Sequence, residues 1–72
     1  MEYIMVTFHE SRFVYIDGEM GGKTNEVLRI EAGTHEFELR GRKNFEPELQ
    51  EVVVEETSVL QPMEIVFSRK DI

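Results

Sequence analysis

The chain has 72 residues, enough for one domain, and no cysteine, so neither a disulfide framework nor a thiolate metal site holds it together. With 40% hydrophobic and 32% charged residues in periodic segments, it has the composition of a folded chain whose stability must come from packing. The formal net charge of −7 sets its surface against phosphate backbones and anionic lipid, and no apolar run approaches the roughly 20 residues of a membrane-spanning helix, so no nucleic acid and no membrane insertion are expected.

Residues 3–8 are rich in β-branched and aromatic types, and Phe13, Val14, Tyr15 and Ile16 repeat that composition after the polar break at His9, Glu10 and Ser11. Together they read as a hairpin. Asp17 and Gly18 end the second strand, since both tolerate the positive φ of a tight turn. A glycine-rich loop is expected over Gly21, Gly22, Lys23, Thr24 and Asn25. Beyond it Leu28 and Ile30 face one way and Arg29 and Glu31 the other, the mark of a half-buried strand.

Ala32, Gly33 and Thr34 form the next turn, after which His35, Phe37 and Leu39 alternate with Glu36, Glu38 and Arg40 in the clearest period of two in the chain. Gly41 to Asn44 breaks that pattern, Phe45 returns to the core, and Pro47 removes a ladder hydrogen bond at its own nitrogen. In residues 49–55, Val52 and Val54 share one face and Val53 takes the other. Thr57 and Ser58 interrupt, and Met63, Ile65 and Phe67 alternate in a last strand preceded by Pro62, leaving 69–72 as a frayed tail. No segment holds a helical period for ten residues or so. The expected fold is all-β: a small two-sheet antiparallel β-sandwich of six to seven short strands, one domain over residues 1–72, with an open barrel as its competitor.

From Phe13 onward, Val14-Tyr15-Ile16-Asp17-Gly18, then Gly22 and Thr24, then the run from Gly33 to Leu39, then Asn44-Phe45-Glu46-Pro47, come in the order of the PEGA domain family, which this chain resembles over roughly residues 10–67. It departs where it has His9-Glu10-Ser11-Arg12 in place of the tetrapeptide that names the family, and Asn25 where a proline usually follows the threonine. The resemblance implies a small β-sandwich module, commonly appended to envelope, surface-layer or signalling proteins of prokaryotes, without an established catalytic role. The matching positions Asp17, Gly18, Gly22, Gly33 and Pro47 look like turn-formers in the family as they do here.

Chemistry-bearing patterns are sparse. Gly18 to Thr24 ends in Gly-Lys-Thr like a phosphate-binding loop, but only three residues separate Gly18 from Gly22, and the segment that follows reads as a strand rather than the required helix. The bland alternative is a flexible loop with a solvated Lys23. His9 and His35 lack ligand spacing, and Asp17-Gly18-Glu19 is too short for a calcium loop. Ser11, Ser58 and Ser68 sit in no nucleophile elbow, and the paired carboxylates Glu36 with Glu38 and Glu55 with Glu56 read as a solvated face. No catalytic, cofactor or metal residue is therefore assigned.

Two interaction candidates stand out. Arg40, Arg42 and Lys43, beside Phe45, form a basic turn that either engages an acidic partner or balances nearby glutamates. Strand edges, at residues 3–8 or at Val52 to Val54, could accept a strand from a protein partner or a second copy. The expectation is a non-catalytic structural or protein-interaction module. The alternative is a small-ligand or carbohydrate-binding module that stacks its ligand on Tyr3, Tyr15 or Phe45. A cytoplasmic location is expected if the chain is complete, an extracytoplasmic one if it is a piece of a longer protein.

Overall fold

A computed structural model describes residues 1–70. Nine strands are formed: β1 (Glu2–Thr7), β2 (Phe13–Ile16), β3 (Glu19–Lys23), β4 (Val27–Ile30), β5 (Gly33–Leu39), β6 (Phe45–Glu46), β7 (Gln50–Val54), β8 (Met63–Val66) and β9 (Ser68–Arg69). Seven of them build two main sheets, ordered β4-β1-β8 and β3-β2-β5-β7, and the two-residue strands β6 and β9 pair as a small third sheet. The all-β, two-sheet reading holds. Every pairing is antiparallel except β1 with β8, which run parallel.

The core is made by the inward positions of each alternating segment. Ile4, Val6 and Phe8 from β1 and its exit meet Val14, Phe37, Leu39 and Val54 from the facing sheet, with Ile65 and Phe67 closing one side. Each buried Val, Ile or Phe of this kind contributes about 1.5–3 kcal/mol relative to exposure. At one end three rings meet edge to face, Phe45 lying 6.2 Å from Phe8 and 5.7 Å from Phe67 between centroids. Thr24 is the only buried polar residue described, and its hydroxyl accepts from the Arg12 amide and donates to the Glu10 carbonyl, both at 2.9 Å.

Four expectations are corrected. The hairpin joining residues 3–8 to 13–16 does not form: β1 lies in one sheet between β4 and β8, and β2 lies in the other between β3 and β5. Phe8 and Val14 must both reach the space between the layers, so the polar segment between them crosses from sheet to sheet. For the same reason β1 is a central strand and offers no free edge.

The glycine-rich loop is instead strand β3. Its glycines serve close packing, since a Cβ on Gly22 would come within 2.5 Å of Leu28 Cδ2 at a φ of +152° that side chains resist. Finally, Ser68 and Arg69 pair with Phe45 and Glu46, and the Lys70 amide donates to the Asn44 carbonyl at 2.9 Å, so the chain is tied down to residue 70. The remainder of the expected tail, residues 71–72, lies outside the described residues.

Candidate interaction surfaces

The two ends of the sandwich differ in charge because the turns at each end carry different residues. At one end, Asp17 and Gly18 form the two-residue turn between β2 and β3 with φ of 54° and 83°, the all-positive pattern of a type I′ hairpin. Asp17 also ties this turn to β5. Its Oδ1 accepts the Glu36 amide at 2.9 Å, and its Oδ2 lies 2.6 Å from His35 Nδ1. His35 Nε2 lies 2.8 Å from the Glu31 carbonyl, which can only accept, so both ring nitrogens face acceptors and the site favours the protonated ring. The hydrogen bond to Asp17 raises the His35 pKa above its ordinary 6.5 against an opposing desolvation, while the Glu36 amide, followed by His35, lowers that of Asp17. This is a structural clamp with its hydrogen-bonding capacity used internally.

The opposite end gathers cations. Of the eight Lys and Arg residues in the chain, Arg12, Lys23, Arg40, Arg42, Lys43, Arg69 and Lys70 lie here, because this end carries the start of β2, the end of β3, the 40–44 turn and the 68–70 segment. Arg12 organises it. With its side chain only 13% exposed, its guanidinium donates to the carbonyls of Arg40 and Arg42 at 3.0 and 3.1 Å, to Asn44 Oδ1, and to Glu10 Oε2 at 2.9 Å, and it lies 5.4 Å from the Phe8 ring centroid. The fork thus pins the backbone on both sides of Gly41.

Ser11, Arg12, Phe13, Lys23, Arg40 and Gly41 line an open cleft of about 320 Å³ beside this hub. The pairing of Phe13 with Lys23 and the Arg40 amide donated to the Phe13 carbonyl bring these three residues together. Lys23 Nζ sits 5.4 Å from the Phe13 ring centroid, within cation–π range. Among the described residues no carboxylate lies within 4.0 Å of Lys23 or Arg40, nor of Arg42 or Lys43, and the Lys43 ammonium instead sits 5.8 Å from the Phe45 centroid.

The third feature is β7, the outermost strand of the four-stranded sheet. Val54 is buried and Val52 half-buried, while Glu51, Val53 and, just past the strand end, Glu55 are exposed on the outer face. Val53 is 54% exposed. The other edge of this sheet, β3, is interrupted by a register shift between Val14 and Tyr15, a device that turns an edge away from new partners. The β7 ladder has no such break.

Of the remaining expected positions, Gly33 opens β5, and Pro47 follows β6 through a cis peptide with Glu46. The three aromatics offered for ligand stacking are dispersed: Phe45 is 1% exposed in the core, and Tyr3 and Tyr15 are half-buried in different sheets. The exposed aromatic is Phe13, at 40%. Sequence reading missed Arg12 and the Phe13–Lys23–Arg40 grouping, because nothing local links three residues whose nearness depends on strand pairing. Among the described residues no group of three or more His, Asp and Glu could hold a metal ion. No protein-family model matches the chain, and comparison with curated proteins and with solved structures finds no significant match.

Proposed function

We propose that the chain is a non-catalytic protein-interaction module, a PEGA-like accessory sandwich, that takes an extended segment of a partner onto strand β7. The support is the position of β7 itself: a regular outermost strand whose outward side receives no backbone hydrogen bond among the described residues, and whose exposed face alternates acidic and apolar side chains at Glu51, Val53 and Glu55. Strand addition would supply main-chain hydrogen bonds for affinity and side-chain pairs for selectivity.

The face chemistry names the partner's pattern. A strand reading basic, β-branched, basic at alternate positions would meet Glu51, Val53 and Glu55 with opposite charge and apolar contact. A second copy is the weaker occupant, since antiparallel pairing centred on Val53 sets Glu51 of each copy against Glu55 of the other. Non-catalytic action fits the titratable groups as well, for the carboxylates with displaced pKa values, Glu2 and Asp17, are both shifted down by hydrogen bonds and so are poor general acids.

The test is titration of the labelled protein with an acetylated, amidated Lys-Thr-Val-Thr-Lys peptide, which sets both lysines on the face of its valine, followed by amide resonances. Saturable shifts concentrated at residues 50–54, with slowed amide exchange on that strand, are expected, and the double variant Glu51→Lys with Glu55→Lys, both on exposed side chains, should abolish them. Shifts spread over the acidic surface without saturation, or none at millimolar peptide, would refute the reading.

A further inference from the structure

The cleft at the basic end is separate from the β7 edge and has its own chemistry. It holds two cations without a carboxylate partner among the described residues, Lys23 and Arg40, on either side of an aromatic ring whose face is partly open to solvent. Ser11 adds a hydroxyl for which no hydrogen bond is formed among the described residues. An acidic chain would be expected to spread its few cations among its carboxylates, but here they converge where strand pairing brings Phe13, Lys23 and Arg40 to one sheet end.

The cleft is also preformed. Arg12 spends its guanidinium on the carbonyls of Arg40 and Arg42, on Asn44 and on Glu10, which fixes the wall formed by Arg40 and Gly41 and leaves the Arg40 side chain exposed. A ligand therefore meets an ordered surface and does not have to order the loop.

We propose that this cleft is a second binding site, which takes a carboxylate side chain of an acidic peptide segment in a protein partner, the carboxylate lying between Lys23 and Arg40 and a neighbouring apolar group resting on Phe13. Size and charge select this occupant. At about 320 Å³ the cleft is at the lower bound of small-molecule pockets, and every lining residue except Arg12 is exposed, so it encloses too little of a free metabolite and suits one side chain of a larger partner. A polyanion such as nucleic acid, extending beyond the cleft, would run into the field of a chain whose net charge is −7. A short acidic segment needs only the local cations.

Three probes separate the outcomes: an acetylated, amidated Gly-Glu-Phe-Glu-Gly peptide, its Gly-Gln-Phe-Gln-Gly counterpart, and inorganic phosphate, each titrated into the labelled full chain. The glutamate peptide should give saturable amide shifts at Ser11, Phe13, Lys23, Arg40 and Gly41 that weaken as salt shortens the Debye length. Lys23→Gln and Arg40→Gln, both on exposed side chains, should each weaken binding about threefold, and together about tenfold, with other resonances unmoved. Equal shifts from the glutamine peptide would overturn the assignment by removing the carboxylate from it. Phosphate that binds as tightly as the peptide would overturn it by showing a general anion site. Absence of saturation with the glutamate peptide would do the same, and because this peptide is acidic its failure leaves the lysine-peptide test of β7 unaffected.

Discussion

Replacing Arg12 with alanine removes a side chain that ties the 40–44 turn to the rest of the sandwich. The fork donates to the Arg40 and Arg42 carbonyls at 3.0 and 3.1 Å and to Asn44, and it covers the Phe8 ring at 5.4 Å. Hydrogen bonds from a charged donor are worth about 1.5–3 kcal/mol when buried. The carbonyls here belong to an exposed turn and rehydrate when the arginine is gone, so about 0.5–1 kcal/mol each is the appropriate figure. The cation–π contact adds about 0.5–1 kcal/mol, and the partly exposed pair with Glu10 less than that.

The expected loss is about 2–3 kcal/mol. Against the roughly 4–10 kcal/mol that a domain of this size possesses, that is a large fraction. With a urea slope of about 1 kcal/mol per molar, the denaturation midpoint should fall by about 2–3 M, and amide exchange at residues 40–44 should accelerate more than elsewhere. Arg12→Lys preserves the charge and could reach the two carbonyls that Nη1 holds, but it lacks the fork that binds Asn44 and Glu10 at the same time, so it should recover only part of the loss. A midpoint within about 0.5 M of the unaltered protein for Arg12→Ala, or full recovery with lysine, would refute the hub reading.

The His35 clamp makes stability depend on pH in a definite direction. His35 has its pKa raised by Asp17, so its contribution is complete below the ordinary 6.5 and is lost as pH climbs through the higher folded value; Asp17 has its pKa lowered, so its contribution holds above the ordinary 3.8 and is lost as pH falls through the lower folded value. Urea midpoints compared between about pH 5.5 and 8.5 should drop more for the unaltered protein than for His35→Gln, and an equal drop would remove the clamp from the account. At Gly22 an added methyl meets Leu28 at 2.5 Å on a backbone that disfavours it, so Gly22→Ala should cost about 1–3 kcal/mol and lower Tm by several degrees. An unchanged Tm would show that β3 can yield at no cost.

What could be read in advance followed the distance over which each feature is determined. The inward set Phe37 and Leu39, Val52 and Val54, Met63, Ile65 and Phe67 was legible because side-chain direction in a strand alternates residue by residue. The Asp17-Gly18 turn was legible because its two positive φ values demand those residue types locally. Asn25 is a partial case. Its φ of 66° and its amide donated to the Val6 carbonyl at 2.7 Å are both closed to proline, a local requirement visible only in the fold.

Alternation thus told which side of each extended segment is apolar, and that was enough for an all-β sandwich, because burying those faces requires a second layer. Which strands are neighbours is another matter. That β1 sits between β4 and β8, that the glycines of β3 pack beneath Ile16 and Leu28, that Arg12 reaches residues 28 to 32 positions away, and that Lys23 and Arg40 flank Phe13 all rest on contacts between distant segments. Period two sets the face of a strand but not its partner, so the tertiary structure alone decided which edge is open and where the cations meet.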